Sequence, residues 1–188
     1  QAAQLAGIGH RVVHGGDTFD RPTRITDEVE AQIAVLNHLA PLHNPVNLAG
    51  IRMARQHFPE LEHFAVFDTA YHQGLPRRAK TYALPQSLNN KHGLRRYGFH
   101  GTSHRFIALE TVKRLELDAN NHGIIVAHLG NRSSVCAVKN GKSVDTSMGM
   151  TPLEGLAMGT RCGDLDFGAA VYIANCTEQS LDSVYSLT

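Results

Sequence analysis

Strand-like and helix-like patterns alternate along the first third of the chain, and this order restricts the fold more than any other feature. Ile8–His14 is typical of a short strand and is closed by two glycines, and Phe64–Phe67 is a compact apolar run that predicts a second strand. Two helical patterns lie between them, over residues 26–38 and from residue 44 to just before Pro59. Strands separated by helices are typical of parallel sheets with crossover connections. The sequence therefore predicts an α/β fold.

Both helical patterns have recognisable starts. Thr26 is a suitable N-cap, and Asp27 and Glu28 follow it in the first turn, where the helix dipole favours acidic residues. Asn44 is a good N-cap for the second helix, and Pro45 suits its first helical position. The apolar stripe that we expect to face the core from the first helix is Val29, Ile33 and Leu36.

A third helix is predicted after an irregular stretch. Residues 77–93 have mixed polarity and no strong period, so they are predicted to be irregular. Ser103 is expected to cap a helix that runs to about Leu115. The core face predicted for this helix is Phe106, Ile107, Leu109 and Val112.

A hairpin is predicted in the last part of the chain. Ile124–Ala127 is typical of a buried strand. Asn140-Gly141 is a strong signal for a two-residue turn, because strand-like runs flank it on both sides. The region after Asp166 is predicted to be helical.

Functional residues are concentrated in runs that place Arg, His, Asp or Asn beside Gly or Pro. One such run has little meaning, but several in one chain predict a single polar site assembled from many loops. The six runs are Gly9–Gly16, Leu39–Pro45, Phe67–Gln73, Tyr97–His104, His128–Asn131 and Met158–Asp164.

Three charged residues are candidates for the chemistry. Asp68 follows a predicted strand at the edge where α/β sheets bind ligands, and it could act as a general base or hold a metal through water. An ordinary solvated turn is the alternative. Arg11 and Arg161 lie beside glycines, and arginine binds carboxylate or phosphate with two parallel hydrogen bonds. For each arginine the alternative is a surface salt bridge.

The run His128–Asn131 follows a strand and precedes another, so its turn could offer backbone N–H groups to phosphate. A simple hairpin turn fits the spacing equally well. The histidine pairs His10/His14 and His100/His104 have a spacing of four residues. We do not expect them to bind metal, because the first pair lies on a predicted strand and His100 precedes its helix.

Composition excludes several classes of function. The formal net charge of +1 gives no reason to expect binding to nucleic acid or to an acidic membrane surface. No apolar run approaches the length that spans a bilayer, and the first residues do not resemble a signal peptide. The three cysteines are odd in number and widely spaced, as in reduced cytoplasmic proteins. The absence of an initiator Met leads us to expect a fragment.

The six runs together resemble the acetate kinase family, which includes the propionate kinases. The match covers nearly the whole chain, and its most specific part is Asp145–Leu156, DTSMGMTPLEGL. The resemblance implies the superfamily of sugar kinases, actin and chaperone ATPases, with two ribonuclease-H-like domains that are incomplete in this chain. Residues 1–69 would be the remainder of the amino-terminal domain, and residues 70–188 the first part of the second.

The resemblance also implies an activity: reversible transfer of the ATP terminal phosphoryl group to acetate or propionate, with Mg²⁺, in a cytoplasmic homodimer. By position, Asp68, His100 and Arg161 match catalytic residues, and Arg11 and His43 match substrate-binding residues. The residues that match the nucleotide phosphate-binding hairpin are His128, Leu129, Gly130, Asn131 and Arg132. The family's metal ligands lie outside this chain. Preference for acetate or propionate would depend on pocket volume.

Departures from the family pattern limit what the chain can do alone. Family members are about twice as long, and their amino-terminal phosphate loop and later nucleotide loop are absent here. Arg132 stands where the family has Gly, so we expect it to disturb the phosphate hairpin by its bulk and its dihedral limits. Cys162 replaces Ser, and Phe167 replaces a common Pro. The fragment is therefore expected to be inactive alone. The alternatives are a non-catalytic module that binds small anions and a truncated module that self-associates.

Overall fold

The computed structural model describes residues 5–188, and its first half contains a three-stranded sheet. The strands are β1 (Ile8–Val12), β2 (Thr23–Arg24) and β3 (His63–Phe67), in the order β1-β3-β2. β1 and β3 are parallel, with Val12 beside Phe67, and β2 pairs antiparallel to β3. The predicted α/β class is therefore confirmed for this part of the chain.

Two helices connect β2 to β3. Helix α1 (Asp27–Val35) begins as predicted, because the side chain of Thr26 accepts a hydrogen bond from the backbone N–H of Val29. A 3₁₀ turn continues it over Leu36–Leu39, and α2 (Asn44–His57) ends before Pro59. These helices and the sheet enclose the larger core, which contains Val12, Phe19, Ile25, Ile33, Leu48, Ile51, Ala65 and Phe67, with Val29 and Leu36 packed against it.

The predicted cap of α2 is wrong. His43 occupies the N-cap position, and Asn44 is the first helical residue. The side chain of Asn44 is fully buried: its Oδ1 accepts from the N–H of His14 at 3.0 Å, and its Nδ2 donates to the carbonyl of His14 at 3.0 Å. Asn44 therefore stabilises the segment that follows β1 instead of its own helix, because a buried backbone donor and acceptor needed partners.

The stretch predicted to be irregular contains short helices. A 3₁₀ turn (Ala70–His72) follows β3, and α3 (Arg77–Lys80) and α4 (Gln86–His92) come next. Helix α4 ends on Gly93 in the left-handed conformation, with φ of +63°. Neither helix has a buried residue, which explains why no apolar period marked them.

Helix α5 (Gly101–Arg114) has its N-cap at His100, three residues earlier than predicted, and presents a different face to the interior. Its buried residues are Gly101, His104 and Ala108. The larger apolar residues that we predicted for the core face are exposed, with Phe106 at 61% of its surface, Ile107 at 44% and Leu109 at 52%. Close packing explains part of this face: a side chain on Gly101 would collide with the carbonyl of Asp68, so the helix approaches its neighbours with Gly101 and Ala108 on either side of His104.

The second sheet is an antiparallel meander of β4 (Gly123–Leu129), β5 (Ser133–Lys139) and β6 (Lys142–Thr146). The predicted hairpin turn is confirmed, since Asn140 and Gly141 have φ of +50° and +74°. The strand predicted at 124–127 exists but is not buried on both faces, because Ile125 is 70% exposed. The smaller core here contains Ala108, Val126, Cys136 and Val138.

The last part of the chain is a long loop followed by α6 (Phe167–Thr177) and α7 (Leu181–Leu187), as predicted. One guanidinium anchors the start of the loop: Arg96 Nη1 donates to the carbonyls of Thr146, Ser147 and Met148, and Arg96 Nη2 donates to Glu154 at 2.5 Å. None of the helices described for residues 5–188 is both long and apolar enough to cross a membrane.

Candidate functional site

A cleft of about 620 Å³ lies where loops from both sheets converge. It collects the end of β1, the residue after β3, the residues around the start of α5 and the β4–β5 turn. The residue before α2 and one residue of the long loop complete its walls. The residues that line the cleft are Arg11, Val13, His43, Asp68, Phe99, His100, Thr102, Ser103, Phe106, His128, Gly130, Asn131, Arg132 and Pro152.

Arg11 and Asp68 form a two-pronged ion pair on one wall of this cleft. Arg11 Nε donates to Asp68 Oδ1 at 2.9 Å, and Arg11 Nη2 donates to Asp68 Oδ2 at 2.6 Å. Because β1 and β3 are parallel neighbours, both residues emerge at the carboxyl edge of the sheet. The Asp68 side chain is 3% exposed and that of Arg11 is 66% exposed, so the carboxylate is buried beneath the guanidinium. The hydrogen bonds to Asp68 raise the pKa of Arg11.

The segment after β1 is held by hydrogen bonds to each of its backbone N–H groups. Val13 N–H donates to Asn47 Oδ1, His14 N–H to Asn44 Oδ1 and Gly15 N–H to Thr69 Oγ1. A side chain on Gly15 would be crowded, because a Cβ added there would lie 3.0 Å from the ring of Phe67. These N–H groups are fully used, so the segment orients Arg11 and cannot itself bind an anion through its backbone.

His100 occupies a strained position at the start of α5. Its φ of +57° places a non-glycine residue in the left-handed region, and the residue is 9% exposed. Its Nδ1 lies 2.9 Å from Ser134 Oγ, which also lies 2.8 Å from His104 Nε2. Burial, and then the nearby His128 and Arg11, lower the pKa of His100 to about 4. At neutral pH the ring is therefore an uncharged group that offers one donor and one acceptor.

His128 lies directly against His100. Their ring centroids are 4.1 Å apart, and the planes are inclined by 24°, so the imidazoles are stacked. His128 Nδ1 is 2.9 Å from Ser103 Oγ, which joins β4 to the first turn of α5. Ser103 is thus inside the helix and supports the site instead of capping the helix. The remaining residues of the β4–β5 turn, Gly130 and Asn131, line the same wall.

Arg132 reaches across the cleft to His43. Its Nη1 donates to His43 Nε2 at 3.0 Å, a contact between the β4–β5 turn and the start of α2. Burial and the charges of Arg132, Arg161 and Arg11 lower the pKa of His43. The non-glycine residues with positive φ between residues 5 and 188 are His100, Glu116, Asn140 and Glu178, so Arg132 adopts the turn without left-handed strain. The dihedral conflict expected at Arg132 therefore does not occur, whereas the effect of its bulk on a bound phosphate stays a prediction.

Arg161 approaches the rim from the long loop. Its Nη1 donates at 3.0 Å to the carbonyl of Pro152, a residue that lines the cleft. Burial and the neighbouring charge of Arg132 lower its pKa from the usual value. Its charge also lowers the pKa of His43, after the larger effects of burial and of Arg132. Three guanidinium groups and one carboxylate therefore surround the opening, which favours an anionic ligand.

The structure brings together most of the residues that the sequence singled out. Arg11, His43, Asp68, His100 and the β4–β5 turn share the cleft, with Arg161 at its rim, whereas the Leu129 side chain is 74% exposed and points away from the lining. Sequence reasoning missed Ser134 and the role of His104. Their only signal was the His-x-x-x-His spacing across the start of α5, which we weighed solely as a metal motif.

The described residues do not form a magnesium site by themselves. Within residues 5–188, no group of three or more His, Cys, Asp or Glu side chains is placed to hold a metal ion together. Mg²⁺ in phosphoryl-transfer sites is bound through one or two carboxylates and substrate phosphates. The one carboxylate that lines the cleft, Asp68, has both oxygens bonded to Arg11. We therefore assign no step of the chemistry to the metal.

Comparison with known proteins identifies what this arrangement is similar to. A propionate kinase of Enterobacter sp. is 54% identical over 180 residues, which are 96% of this chain and 45% of that protein. Acetate kinase 1 of Vibrio cholerae is 54% identical over 186 residues, or 99% of this chain and 47% of that protein. The chain thus spans about half the length of these curated relatives.

Solved structures agree with the sequence comparison. The crystal structure of Porphyromonas gingivalis acetate kinase superposes with a TM-score of 0.94 at 44% identity, over 100% of this chain and 47% of that one. A propionate kinase from Francisella tularensis gives the same TM-score at 45% identity. The fold expected from the resemblance is confirmed. The model of the acetokinase family matches residues 1–188, and the chain therefore belongs to the acetokinase family.

Proposed function

We propose that the chain is part of a carboxylate kinase that transfers the ATP terminal phosphoryl group reversibly to acetate or propionate, giving an acyl phosphate and ADP. The observation that supports this most is the Arg11–Asp68 pair facing His100 across an open, arginine-lined cleft. Phosphoryl transfer requires positioning and positive charge around the equatorial oxygens more than covalent help from the protein. The cleft supplies both.

Arg11 is proposed to bind the substrate carboxylate. Its Nε and Nη2 are engaged by Asp68, whereas its Nη1 has no hydrogen-bond partner within residues 5–188. The guanidinium thus presents free donors to the cleft in a fixed orientation. Asp68 then acts chiefly by orienting Arg11. A general base is not needed, because a carboxylic acid with a pKa of about 4–5 is already ionised at neutral pH.

His100 and Arg161 are proposed to stabilise the transferring phosphoryl group. An uncharged imidazole N–H and a guanidinium both donate to phosphoryl oxygens, and neither has to change its protonation during the transfer. His43 lies on the substrate side, next to Arg132. The turn residues His128 to Arg132 are proposed to contact the nucleotide phosphates, for which ATP with Mg²⁺ is the co-substrate.

We also propose that the chain divides near residue 69. Residues 1–69 would belong to one ribonuclease-H-like domain and residues 70–188 to the beginning of a second. All three strands of the first sheet precede this point, and all three of the second sheet follow it, which supports the division. In a full-length acetokinase the protein is proposed to act as a homodimer in the cytoplasm.

The test is acyl phosphate formation by a full-length acetokinase that contains this chain. Hydroxylamine traps acyl phosphate as a hydroxamate, which is measured as its coloured ferric complex, and we expect product with ATP, Mg²⁺ and acetate or propionate. Arg11→Ala should raise KM for the carboxylate. The matched control is Arg52→Ala, which removes a surface guanidinium paired with Glu30 on α1 and should leave KM unchanged. Absence of hydroxamate with both acids, from folded wild-type protein, would refute the proposal.

A further inference from the structure

Ser134 joins two buried histidines through a single hydroxyl. Its Oγ lies 2.9 Å from His100 Nδ1 and 2.8 Å from His104 Nε2, and Ser134 itself is fully buried on β5. A hydroxyl has one hydrogen atom and two lone pairs. If both rings donated to those lone pairs, the buried O–H of Ser134 would have no acceptor among the described residues, where its hydrogen-bond partners are the two imidazoles. The hydroxyl therefore donates to one ring and accepts from the other, which leaves two arrangements of the three groups while both rings are neutral.

The two arrangements differ in which nitrogen of His100 carries the proton. In the first, His100 Nδ1–H donates to Ser134, and Ser134 donates to His104 Nε2. His104 must then carry its proton on Nδ1. In the second, His104 Nε2–H donates to Ser134, and Ser134 donates to His100 Nδ1. His100 then carries its proton on Nε2.

The surroundings of His104 favour the second of the two proton arrangements. Its Nδ1 is buried and has no hydrogen-bond partner in the described part of the chain. The first arrangement would put an N–H on that atom, and a buried N–H without an acceptor is rare in native proteins. The second arrangement leaves only an unpaired lone pair there. Burial lowers the pKa of both rings, to about 4 for His100 and about 3 for His104, so both are neutral above pH 5 and the choice is between tautomers.

The tautomer of His100 affects the cleft because it determines whether a proton is present on Nε2. This atom has no protein partner among residues 5–188, is not among the fully buried unpaired atoms, and belongs to a residue that lines the cleft. With the proton on Nε2 it is a donor to an anionic oxygen. With the proton on Nδ1 it would turn a lone pair towards that oxygen and repel it.

We propose that Ser134 is a positioning residue, whose hydroxyl, bridging His100 and His104, holds the proton of His100 on Nε2 so that the ring donates into the cleft. The inference rests on the proposed function only for the identity of the anion. The placement of the proton is independent of it. His104 is the second partner, and its Nε2–H keeps the hydroxyl turned towards His100.

The first experiment determines the tautomer directly. Long-range ¹H–¹⁵N spectra of histidine-labelled full-length acetokinase containing this chain distinguish protonated from unprotonated ring nitrogens, and His100→Gln assigns the signals. We expect wild-type His100 to carry its proton on Nε2, and Ser134→Ala to give a mixture of both tautomers. A wild-type His100 protonated on Nδ1 would overturn the proposal whether or not the protein is a kinase.

The second experiment measures the effect on turnover. Loss of the hydrogen-bond partner that fixes the tautomer of a metal-ligating histidine lowers metal affinity or activity by about 10–100-fold, and the same order is expected where the tautomer of a phosphate-binding histidine is fixed in this way. We expect Ser134→Ala to lower kcat by about tenfold or more, with KM for acetate within about twofold of the wild type, and Ser134→Thr to restore most of it by returning the hydroxyl. If Ser134→Ala does not fold, the proposal is still tested by the tautomer of His100 in the wild type and by kcat of Ser134→Thr.

The matched control is Ser143→Ala. Ser143 is equally buried, and its Oγ lies 2.8 Å from His72 Nδ1, but the tautomer of His72 is fixed separately by donation from Nε2 to the carbonyl of Phe99 at 3.0 Å. Ser143→Ala should therefore lower stability about as much as Ser134→Ala and leave kcat near the wild type. Equal kcat in the two alanine variants would overturn the proposal. Failure of wild-type protein to form acyl phosphate would instead refute the proposed function.

Discussion

Acid should destabilise this fold through its buried histidines, and His72 offers the cleanest measurement. The ring is fully buried between Ser143 and the carbonyl of Phe99, and no carboxylate within residues 5–188 is bonded to it. Burial lowers its pKa from the usual 6.5 to about 4. Between these two values the unfolded chain takes up a proton at His72 and the folded chain does not. Stability is therefore fully retained above pH 6.5 and falls as the pH drops towards 4.

The loss of stability on acidification can be calculated from the pKa shift of His72. Each pH unit within this window costs about 1.4 kcal/mol per histidine. Lowering the pH from 7 to 5 crosses about one and a half units of the window, so His72 alone should remove about 2 kcal/mol from the free energy of unfolding. His14 is buried in the same way, with a pKa lowered to about 4, and adds to the total loss.

Urea unfolding at pH 7, 6 and 5 measures this effect. The chain contains no Trp, so far-ultraviolet circular dichroism is the suitable probe. His72→Gln keeps a donor for the Phe99 carbonyl but cannot take up a proton, and its loss of stability between pH 7 and 5 should be about 2 kcal/mol smaller than in the wild type. Ser143→Ala, which retains the buried ring, should keep the wild-type pH dependence. Identical pH dependence in His72→Gln and wild type would refute the reasoning.

Three further outcomes are expected. Arg161→Ala in a full-length acetokinase should lower kcat more than it raises KM for the carboxylate, by an amount on the order of 2–4 kcal/mol; an unchanged kcat in folded protein would remove Arg161 from the proposed role. The isolated 188-residue chain should give no turnover in a coupled kinase assay, because phosphoryl transfer needs the whole phosphate cradle at once; activity within about tenfold of a full-length relative would contradict this. Asn44→Ala should lower the free energy of unfolding by about 2–4 kcal/mol, since it leaves both the N–H and the carbonyl of His14 buried without partners; a loss no larger than that of the exposed control Asn120→Ala would be the contrary result in denaturant titration.

Local chemistry predicted several elements correctly. The Asn140-Gly141 turn followed from the two left-handed conformations that such a hairpin requires, and Thr26 from the unpaired N–H groups of a helix start. Arg11 and Asp68 were also found, because charged residues at the carboxyl ends of neighbouring parallel strands meet at one edge of the sheet, whereas His43 and Arg132 were identified only through the family resemblance. At the turn and at the helix start the local conformation depends mainly on residues that are adjacent in the sequence.

Long-range packing explains what could not be predicted. In α5 the largest apolar side chains indicated the wrong face, since the close approach of Gly101 to Asp68 selects small residues for the interior. Asn44 had two possible partners, its own helix and a segment thirty residues away, and only the fold decides between them. The bridge from Ser134 to two histidines joins β5 to α5, so no local pattern could reveal it.

The left-handed backbone conformation of His100 lowers the stability of the folded chain. A non-glycine residue in this region costs about 1–2 kcal/mol, which glycine at the same position would avoid. Selection for stability alone would therefore favour His100→Gly, which removes the imidazole from the cleft. Variants of this chain selected only for thermal stability should often carry this substitution and lose function because of it. The persistence of a strained, buried imidazole there is the kind of compromise found where a protein keeps a reactive group in place.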